Sequence, residues 1–238
     1  HFGIGADGLV FILPSEQADA HMRIFNADGT ESQQCGNAVR CVAKFVYEKL
    51  GIQKTDMLIK TARGILQVIL QVEAGIVVQV QVDMGEPILE PAKIPVRSSS
   101  IHHHVEAAGK LYDYTAVSMG NPHAVIQVDE LTDDLVEQAG SQIETNELFP
   151  ERVNVEFITI HSLREISMRV YERGVGETMA CGSGACAVLV ASHLNGHAER
   201  KATIHLLGGD LTIEWNEEDN HVYMTGSATF VFTGEYLV

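Results

Sequence analysis

The stretch MACGSGACAVLVA, residues 179–191, sets a cysteine between an alanine and a Gly-Ser-Gly run, directly ahead of an unbroken apolar segment. From Ala185 to Ala191 the segment presents no charged or strongly polar side chain. A helix without a polar face has to be surrounded by protein. The segment therefore predicts a buried helix with Cys181 at its mouth. Far upstream, QQCGNAVRCVAKFV at 33–46 repeats the arrangement around Cys35. Its apolar residues Val39, Val42, Ala43, Phe45 and Val46 are interrupted only by Arg40 and Lys44, whose long stems are expected to reach outward.

Sliding the chain along itself until Met22 lies over Met168 aligns MRIFNADGTESQQCGNAVRCV with MRVYERGVGETMACGSGACAV. Met22/Met168, Arg23/Arg169, Glu31/Glu177, Cys35/Cys181, Gly36/Gly182 and Val42/Val188 coincide, and GILQV from Gly64 resembles GDLTI from Gly209. An internal duplication accounts for this economically. Around each cysteine the local pattern repeats as well. HMRIF and SMRVY alternate like short strands, and each is followed by a polar loop, a Cys-Gly turn and a segment of helical length. Most other apolar runs read as strands: LVFIL, MLIKT, ILQVILQV, IVVQVQV, AVIQV, VNVEFITI, ATIHLL, LTIEW, HVYM and TFVFT. The expected fold is α+β, with two pseudo-symmetric halves, each a curled, mostly antiparallel sheet or barrel around a central buried helix. The first half is expected over residues 1–83, with a last strand at 228–238 returning to it. The second spans 84–227, and the active site lies in the cleft between. MGEPILEPAKIP, residues 84–95 with three prolines, is the expected connector.

Composition narrows the partners. The 238 residues are 45% hydrophobic, ample for an ordinary core, and 32 acidic against 16 basic side chains leave a net charge of −16. Such a surface repels phosphate backbones and anionic lipid alike, which argues against nucleic acid and membrane partners. No run approaches the roughly 20 apolar residues that span a bilayer, and the opening HFGIGADGLVFILP lacks the basic start of a signal peptide. Four cysteines spaced C-x5-C and C-x4-C fit neither a disulfide scaffold nor common zinc clusters. A reducing cytoplasm is the expected location. The chain opens on His1 in mid-pattern, so further N-terminal residues are expected to precede it.

A thiol at a helix start feels the positive end of the helix dipole and unsatisfied N–H groups, which favour thiolate. A following glycine lets a ligand approach those N–H groups, a ready carboxylate site. If Cys35 and Cys181 face one another across a small molecule, their mutual repulsion leaves one proton between them. One sulfur then acts as base and the other as acid, and the carbon between them inverts without a cofactor.

The pattern resembles the diaminopimelate epimerases. The motifs that carry the resemblance are GIGADG, RIFNADGTESQQCGN and the adjoining RC in the first half, with MGNPH, RVNVEF, YERGVGETMACGSGACA and GGDLTIEW in the second. The resemblance implies epimerisation of LL- to meso-diaminopimelate, for lysine and peptidoglycan precursor synthesis, using a cysteine pair and neither metal nor pyridoxal phosphate. It implies Cys35 and Cys181 as base and acid, with His123 and Glu172 assisting proton traffic, without assigning which serves which thiol. Asn26, Asn121, Asn154 and Arg173 would hold substrate, the Arg fork suiting a distal carboxylate. Gly36, Asn37, Gly182 and Ser183 would present helix-start N–H groups to the reacting carboxylate. The partner is a small molecule, and a homodimer is the assembly relatives suggest. Family members carry a longer N-terminal segment than this chain. Gly8 stands where many have Gln, and Ser183 where many have Thr.

Two alternatives share these features. A proline or hydroxyproline racemase also works with two cysteines but typically has Gly-His after the first, where this chain has Gly36-Asn37. A non-catalytic amino-acid-binding relative, disabled by a missing N-terminus, is the other. A thiol redox protein would instead cycle Cys35 and Cys181 through a disulfide. Cys41 and Cys186 read as small hydrophobes inside the helices, HHH at 102–104 as a solvated loop, and VDELTDDLVEQ at 128–138 as a charged surface turn or helix. Asp7, Asp28 and Glu31 read as loop ties and caps.

Overall fold

Strands dominate because apolar and polar residues alternate over most of the chain, and two short Cys-led segments supply the main helices. The computed structural model describes residues 8–26, 29–32 and 35–235; Asp7 and Asp28 lie outside the described residues. The chain divides into two units, His1–Asp83 with Thr225–Val238, and Met84–Met224. The architecture is a mixed, sheet-dominated α+β fold with few helices.

In the first unit, β1 (Gly8–Leu13) pairs antiparallel with β2 (Ala20–Asn26), setting Phe11 opposite Arg23. The short β3 (Glu31–Ser32) folds back on β2. Helix α1 (Gly36–Glu48) then crosses over to β4 (Asp56–Lys60), which lies parallel to β2. β5 (Ile65–Glu73) and β6 (Ile76–Asp83) form a hairpin whose turn residues, Ala74 and Gly75, have φ of 49° and 81°. Left-handed φ at both turn positions matches the twist of the flanking strands. The strand order is β1-β2-β4-β5-β6. Val39, Val42, Ala43 and Val46 form the buried stripe of α1, at the spacing of one helix face.

The second unit begins with a turn at Pro91–Lys93 inside the expected connector. β7 (His102–Ala107), β8 (Lys110–Ser118) and β9 (Pro122–Gln127) form an antiparallel meander, and β10 (Asn154–Ser162) lies parallel to β9. Between them a helical run over 133–144 ends in α2 (Gly140–Glu144), consistent with the expected acidic surface helix. β11 (Glu165–Glu172) pairs antiparallel with β10, and β12 (Gly176–Thr178) folds back on β11. Helix α3 (Gly182–Leu194) crosses to β13 (Lys201–Leu206), parallel to β11, and β14 (Gly209–Trp215) and β15 (Val222–Gly226) follow. The order is β15-β14-β13-β11-β10-β9-β8-β7.

This sheet is covered on both faces. Val136, Ile143 and Phe149 pack with Val155 and Phe157 of β10 on one side. On the other, α3 packs against β8 to β11, β13 and β14, with every residue from Gly184 to Ser192 buried. Among the described residues no helix is long and apolar enough to cross a membrane.

Several expectations are corrected. The sheets are open, so the barrel alternative fails: β7 is an edge, and its three exposed histidines fit the polar, blunted character of an unpaired strand border. HHH is therefore strand, not loop, because His102, His103 and His104 pair in register with Thr115, Tyr114 and Asp113. The strand expected at 228–238 is not formed over 228–235; the last strand ends at Gly226. That segment is held by side chains instead, with the Phe230 ring 6.3 Å from that of Phe45 and beneath the ammonium groups of Lys44 and Lys49. Lys44 does not reach outward: it is 6% exposed, and its ammonium donates to Glu48 Oε1 at 2.6 Å and to the Val77 carbonyl at 2.8 Å. Cys41 is exposed, whereas Cys186 is buried. α1 buries one stripe and Cys41 lies off it.

Candidate functional site

Alternation decides which side chains of the second unit meet α3. Val155 and Phe157 face the α2 side, so Asn154 and Glu156 face α3. The parallel register sets Asn154 beside His123, and the antiparallel one sets Glu156 opposite Val170, two residues before Glu172. Cys181 caps α3 with an extended backbone, φ −121° and ψ 110°, and is buried. The turn before β14 holds the loop from behind, since the Gly208 N–H donates to the Met179 carbonyl at 2.7 Å.

The buried side chains form one hydrogen-bonded chain. Glu156 Oε1 is 2.6 Å from His123 Nδ1, and both residues are 0% exposed. His123 Nε2 lies 3.2 Å from Asn121 Oδ1, and Asn121 Nδ2 donates to Ser183 Oγ at 3.2 Å. Ser183 Oγ is 3.6 Å from Cys181 Sγ. The Glu172 carboxylate, close enough for its charge to act on the sulfur, accepts the Thr178 hydroxyl on Oε1. Gly184 is bare where these groups converge: a Cβ there would lie 2.7 Å from Glu156 Oε1 and 3.3 Å from Cys181 Sγ.

Burial pushes the Cys181 thiol well above its ordinary value, and the Glu172 and Glu156 carboxylates push it further; Ser183 and the Gly184 N–H oppose them weakly. The sulfur therefore rests as a thiol, a correction to the expectation that its helix-start position favours thiolate. The amide end of α3 is present, but desolvation of a buried sulfur outweighs it. Burial also raises Glu172, with Thr178 and Cys181 pulling back against it.

The remaining expected residues of this unit support the loop that follows β11. Asn154 is 4% exposed; its Nδ2 donates to the Pro122 carbonyl at 3.0 Å and its Oδ1 accepts the Arg173 N–H at 3.0 Å. Glu144 accepts the Gly174 N–H at 2.9 Å. Arg173 itself is exposed, with Nη1 donating to the Glu151 carbonyl at 3.1 Å. Gly182 is the first, buried residue of α3. Asn121, His123, Asn154, Glu172, Arg173, Cys181, Gly182 and Ser183 thus belong to one neighbourhood.

In the first unit the expected residues lie at the end of β2 and the start of α1. Cys35 caps α1 with φ −143° and ψ 110° and is half-buried. Gly36 is buried at the first helical position, and Asn37 Oδ1 accepts from Arg40 Nη1 at 3.0 Å. Asn26 binds the following turn through Thr30, with Nδ2 to Oγ1 at 3.0 Å. Each Cys loop is tied by the same ion pair. Arg23 forks onto Glu31 at 2.8 and 2.9 Å, and Arg169 onto Glu177 at 2.6 and 2.7 Å with Asp133 as a further partner. Glu31 is therefore a loop tie, as expected.

Glu156, Thr178 and Glu144 were not anticipated. In VNVEFITI Glu156 alternates with the apolar Val155 and Phe157, the pattern of a solvent-facing strand residue, so the sequence carried no distinct signal for it. Among the described residues no three His, Cys, Asp or Glu side chains are grouped to hold a metal ion.

Comparison with known proteins bears on this arrangement. Residues 1–90 and 115–231 match the family described as Diaminopimelate epimerase. The chain is 54% identical to the diaminopimelate epimerase of Methanococcus maripaludis strain C5, over 99% of this chain and 86% of that protein. It is also 54% identical to that of Acetivibrio thermocellus, over 99% and 85%. Among solved structures it is similar to a probable proline racemase from Agrobacterium radiobacter K84, with a TM-score of 0.72 and 16% identity over 97% of this chain and 76% of that one. A PhzF-family phenazine biosynthesis protein of Bacillus anthracis gives 0.66 at 16% identity, over 98% and 86%. At such identity these two likenesses speak for the fold alone, whereas the first matches speak for descent. The chain belongs to the diaminopimelate epimerase family.

Proposed function

We propose that this protein epimerises diaminopimelate between its LL and meso forms, with Cys35 and Cys181 as the two proton-transfer groups. One observation carries the reading: in each unit a cysteine with extended backbone caps a 13-residue helix that opens on glycine. Each cysteine ends a loop tied by an Arg–Glu fork. Sequence descent from named epimerases supplies the substrate. The racemase-like alternative rests on a likeness of fold.

The chemistry requires each sulfur to address a different face of one α-carbon. A thiolate takes the α-proton, the C–H electron pair spreads into the carboxylate, and the opposing thiol returns its own proton to the other face. Afterwards the protonation states of the two sulfurs are exchanged. Cys181, buried beside two carboxylates, begins as the thiol, and Cys35 begins as the base. Glu172 is the group that exchanges a proton with Cys181, while His123 acts on it through Asn121 and Ser183. The amide groups of Gly36, Asn37, Gly182 and Ser183 receive the reacting carboxylate, and Asn26, Asn121 and Arg173 recognise the rest of the substrate. Asn154 keeps Arg173 in place through its backbone. No step requires a cofactor.

We further infer that the halves arose by duplication around buried helices. The sequence β1-β2-β3-α1-β4-β5-β6 is matched by β10-β11-β12-α3-β13-β14-β15, with antiparallel and parallel pairings in the same places for every pair with described register. Four reduced thiols suit a cytoplasmic enzyme. The deciding experiment is incorporation of solvent deuterium at the α-carbon of diaminopimelate, coupled to LL/meso interconversion. Inversion with exchange is expected from the wild type and not from Cys35→Ala or Cys181→Ala. Full turnover in either variant would overturn the scheme.

A further inference from the structure

Among the described residues, Glu156 is a fully buried acidic side chain near Cys181 through which the mechanism routes no proton. It lies in β10 between Val155 and Phe157, at 0% exposure, with Oε1 on His123 Nδ1 at 2.6 Å. Its second oxygen, Oε2, is buried without a hydrogen-bond partner among the described residues. A carboxylate kept under such conditions is costly to fold around. An apolar side chain at this point of β10 would pack with less expense, so ordinary packing does not explain it.

Its position is specific. Glu156 Oε1 and Cys181 Sγ flank the same bare Cα, that of Gly184, where any Cβ would strike the carboxylate at 2.7 Å. Gly184 therefore makes room for the carboxylate beside the sulfur. Among the described residues, the charges that reach the sulfur from the strands packed on α3 are Glu156 of β10 and Glu172 of β11. His123 of β9 reaches it only through Asn121 and Ser183. Among the described residues, Glu156 thus both lies beside the sulfur across Gly184 and terminates the His123 chain.

We propose that Glu156 is a positioning residue for proton transfer: clamped by His123 against Gly184, its carboxylate keeps the proton on Cys181 between turnovers and holds His123 toward Asn121. The proposal rests on the reading of Cys181 as a proton-transfer thiol. It makes the resting asymmetry of the two cysteines a property of β10, remote in sequence from both. The direction of the effect is fixed by charge: a neutral side chain of the same shape removes a negative neighbour from the sulfur, which then loses its proton at lower pH.

The test is the pH dependence of Cys181 alkylation by iodoacetamide, followed by peptide mass spectrometry, in wild type and Glu156→Gln. Gln retains the volume and can still hydrogen-bond to His123. The onset of alkylation is expected to move down by about one pH unit, as for loss of a nearby like charge. In steady-state assays kcat is expected to fall about tenfold or more, with KM changed less than about threefold. An unmoved alkylation profile in a folded variant would overturn the proposal while leaving the two-cysteine reading intact. Turnover by Cys181→Ala would instead remove the reading itself. Should Glu156→Gln not fold, Glu156→Asp retains the charge but draws it away from Gly184. It is expected to shift the onset in the same direction by a smaller amount, and no shift there would equally overturn the idea.

Discussion

Glu172 carries two demands that pull in opposite directions. It is partly buried beside Cys181, and that burial raises its carboxyl above the ordinary range against the pull of Thr178 and the thiol. A carboxyl raised by folding binds its proton more tightly in the native state than in the unfolded chain. The stability it contributes is therefore present below the unfolded value and is lost as pH rises through the raised folded one. Wherever it is ionised, Glu172 works against the fold. Glu172→Gln retains an acceptor for the Thr178 hydroxyl and removes the charge, so its thermal midpoint at pH 7.5 is expected to exceed that of the wild type. At pH 4 the gap is expected to narrow. Activity moves the other way, since Gln cannot exchange a proton with the sulfur: kcat/KM is expected to drop about 10²- to 10⁴-fold. Thermal scans at the two pH values with an epimerisation assay check both halves, and a Gln variant less stable at pH 7.5 would refute the first. The cysteines, His123 and Glu172 were legible in the sequence because they stand in long motifs. Glu156 was not, because alternation in VNVEFITI sends it to a polar face. That face looks outward only if the strand is covered on one side, and β10 is covered on both. The direction of the Cys181 shift was missed for the same reason, since a helix start is visible in sequence and the depth at which it is buried is not.

Arg23 and Arg169 make the same fork onto a glutamate eight residues on, yet their surroundings differ. Arg169 and Glu177 are 12% and 17% exposed, and Arg169 has Asp133 as a further partner. Arg23 and Glu31 are 43% and 34% exposed. A fork withdrawn from water leaves an unpaired buried charge when cut, whereas an exposed one is replaced by solvent. Arg169→Met is expected to cost about 2 kcal/mol in urea unfolding and to loosen the β11–β12 loop that leads to Cys181. Arg23→Met is expected to leave the midpoint unchanged. Equal losses at both sites would show that the ties are energetically equivalent. Elements with a local signature were readable in advance, such as the strands β5 and β6 and the two Cys-led helices. Those that depend on a distant neighbour were not. β7 and β8 pair around the Ala108–Gly109 turn, both residues with left-handed φ, although HHHVEA carries little strand signal of its own. TFVFT has strong strand character but forms no strand over its described length, where ring contacts to α1 hold Phe230. Lys44 looked like a surface residue until the β6 backbone supplied a carbonyl for its ammonium.

At the scale of the whole chain, the proposed two-sided reaction asks for one thiol from each unit. Each unit supplies one cysteine at the start of a crossover helix between parallel strands, and the units are not equal. In the second, β9 supplies His123. Cys181 therefore sits in a buried polar chain, while Cys35 is half-buried at the mouth of a helix that hides one stripe. Such inequality has a kinetic consequence if each sulfur serves one face of the substrate. In a variant lacking one thiol, the remaining sulfur can still take the α-proton from the isomer that presents it on that side. The carbanion can then be reprotonated only from the face it left, so exchange with solvent proceeds without inversion. Cys35→Ala and Cys181→Ala are each expected to incorporate deuterium into a single diaminopimelate isomer, opposite in the two variants, with no interconversion. The rates are expected to differ, because buried Cys181 must surrender its proton against two carboxylates before it can act as base. Exchange should therefore be slower in Cys35→Ala and should accelerate more steeply with rising pH. Proton NMR of each pure isomer in heavy water measures this directly. Deuterium entering the same isomer in both variants would mean that the two sulfurs do not address opposite faces of one carbon.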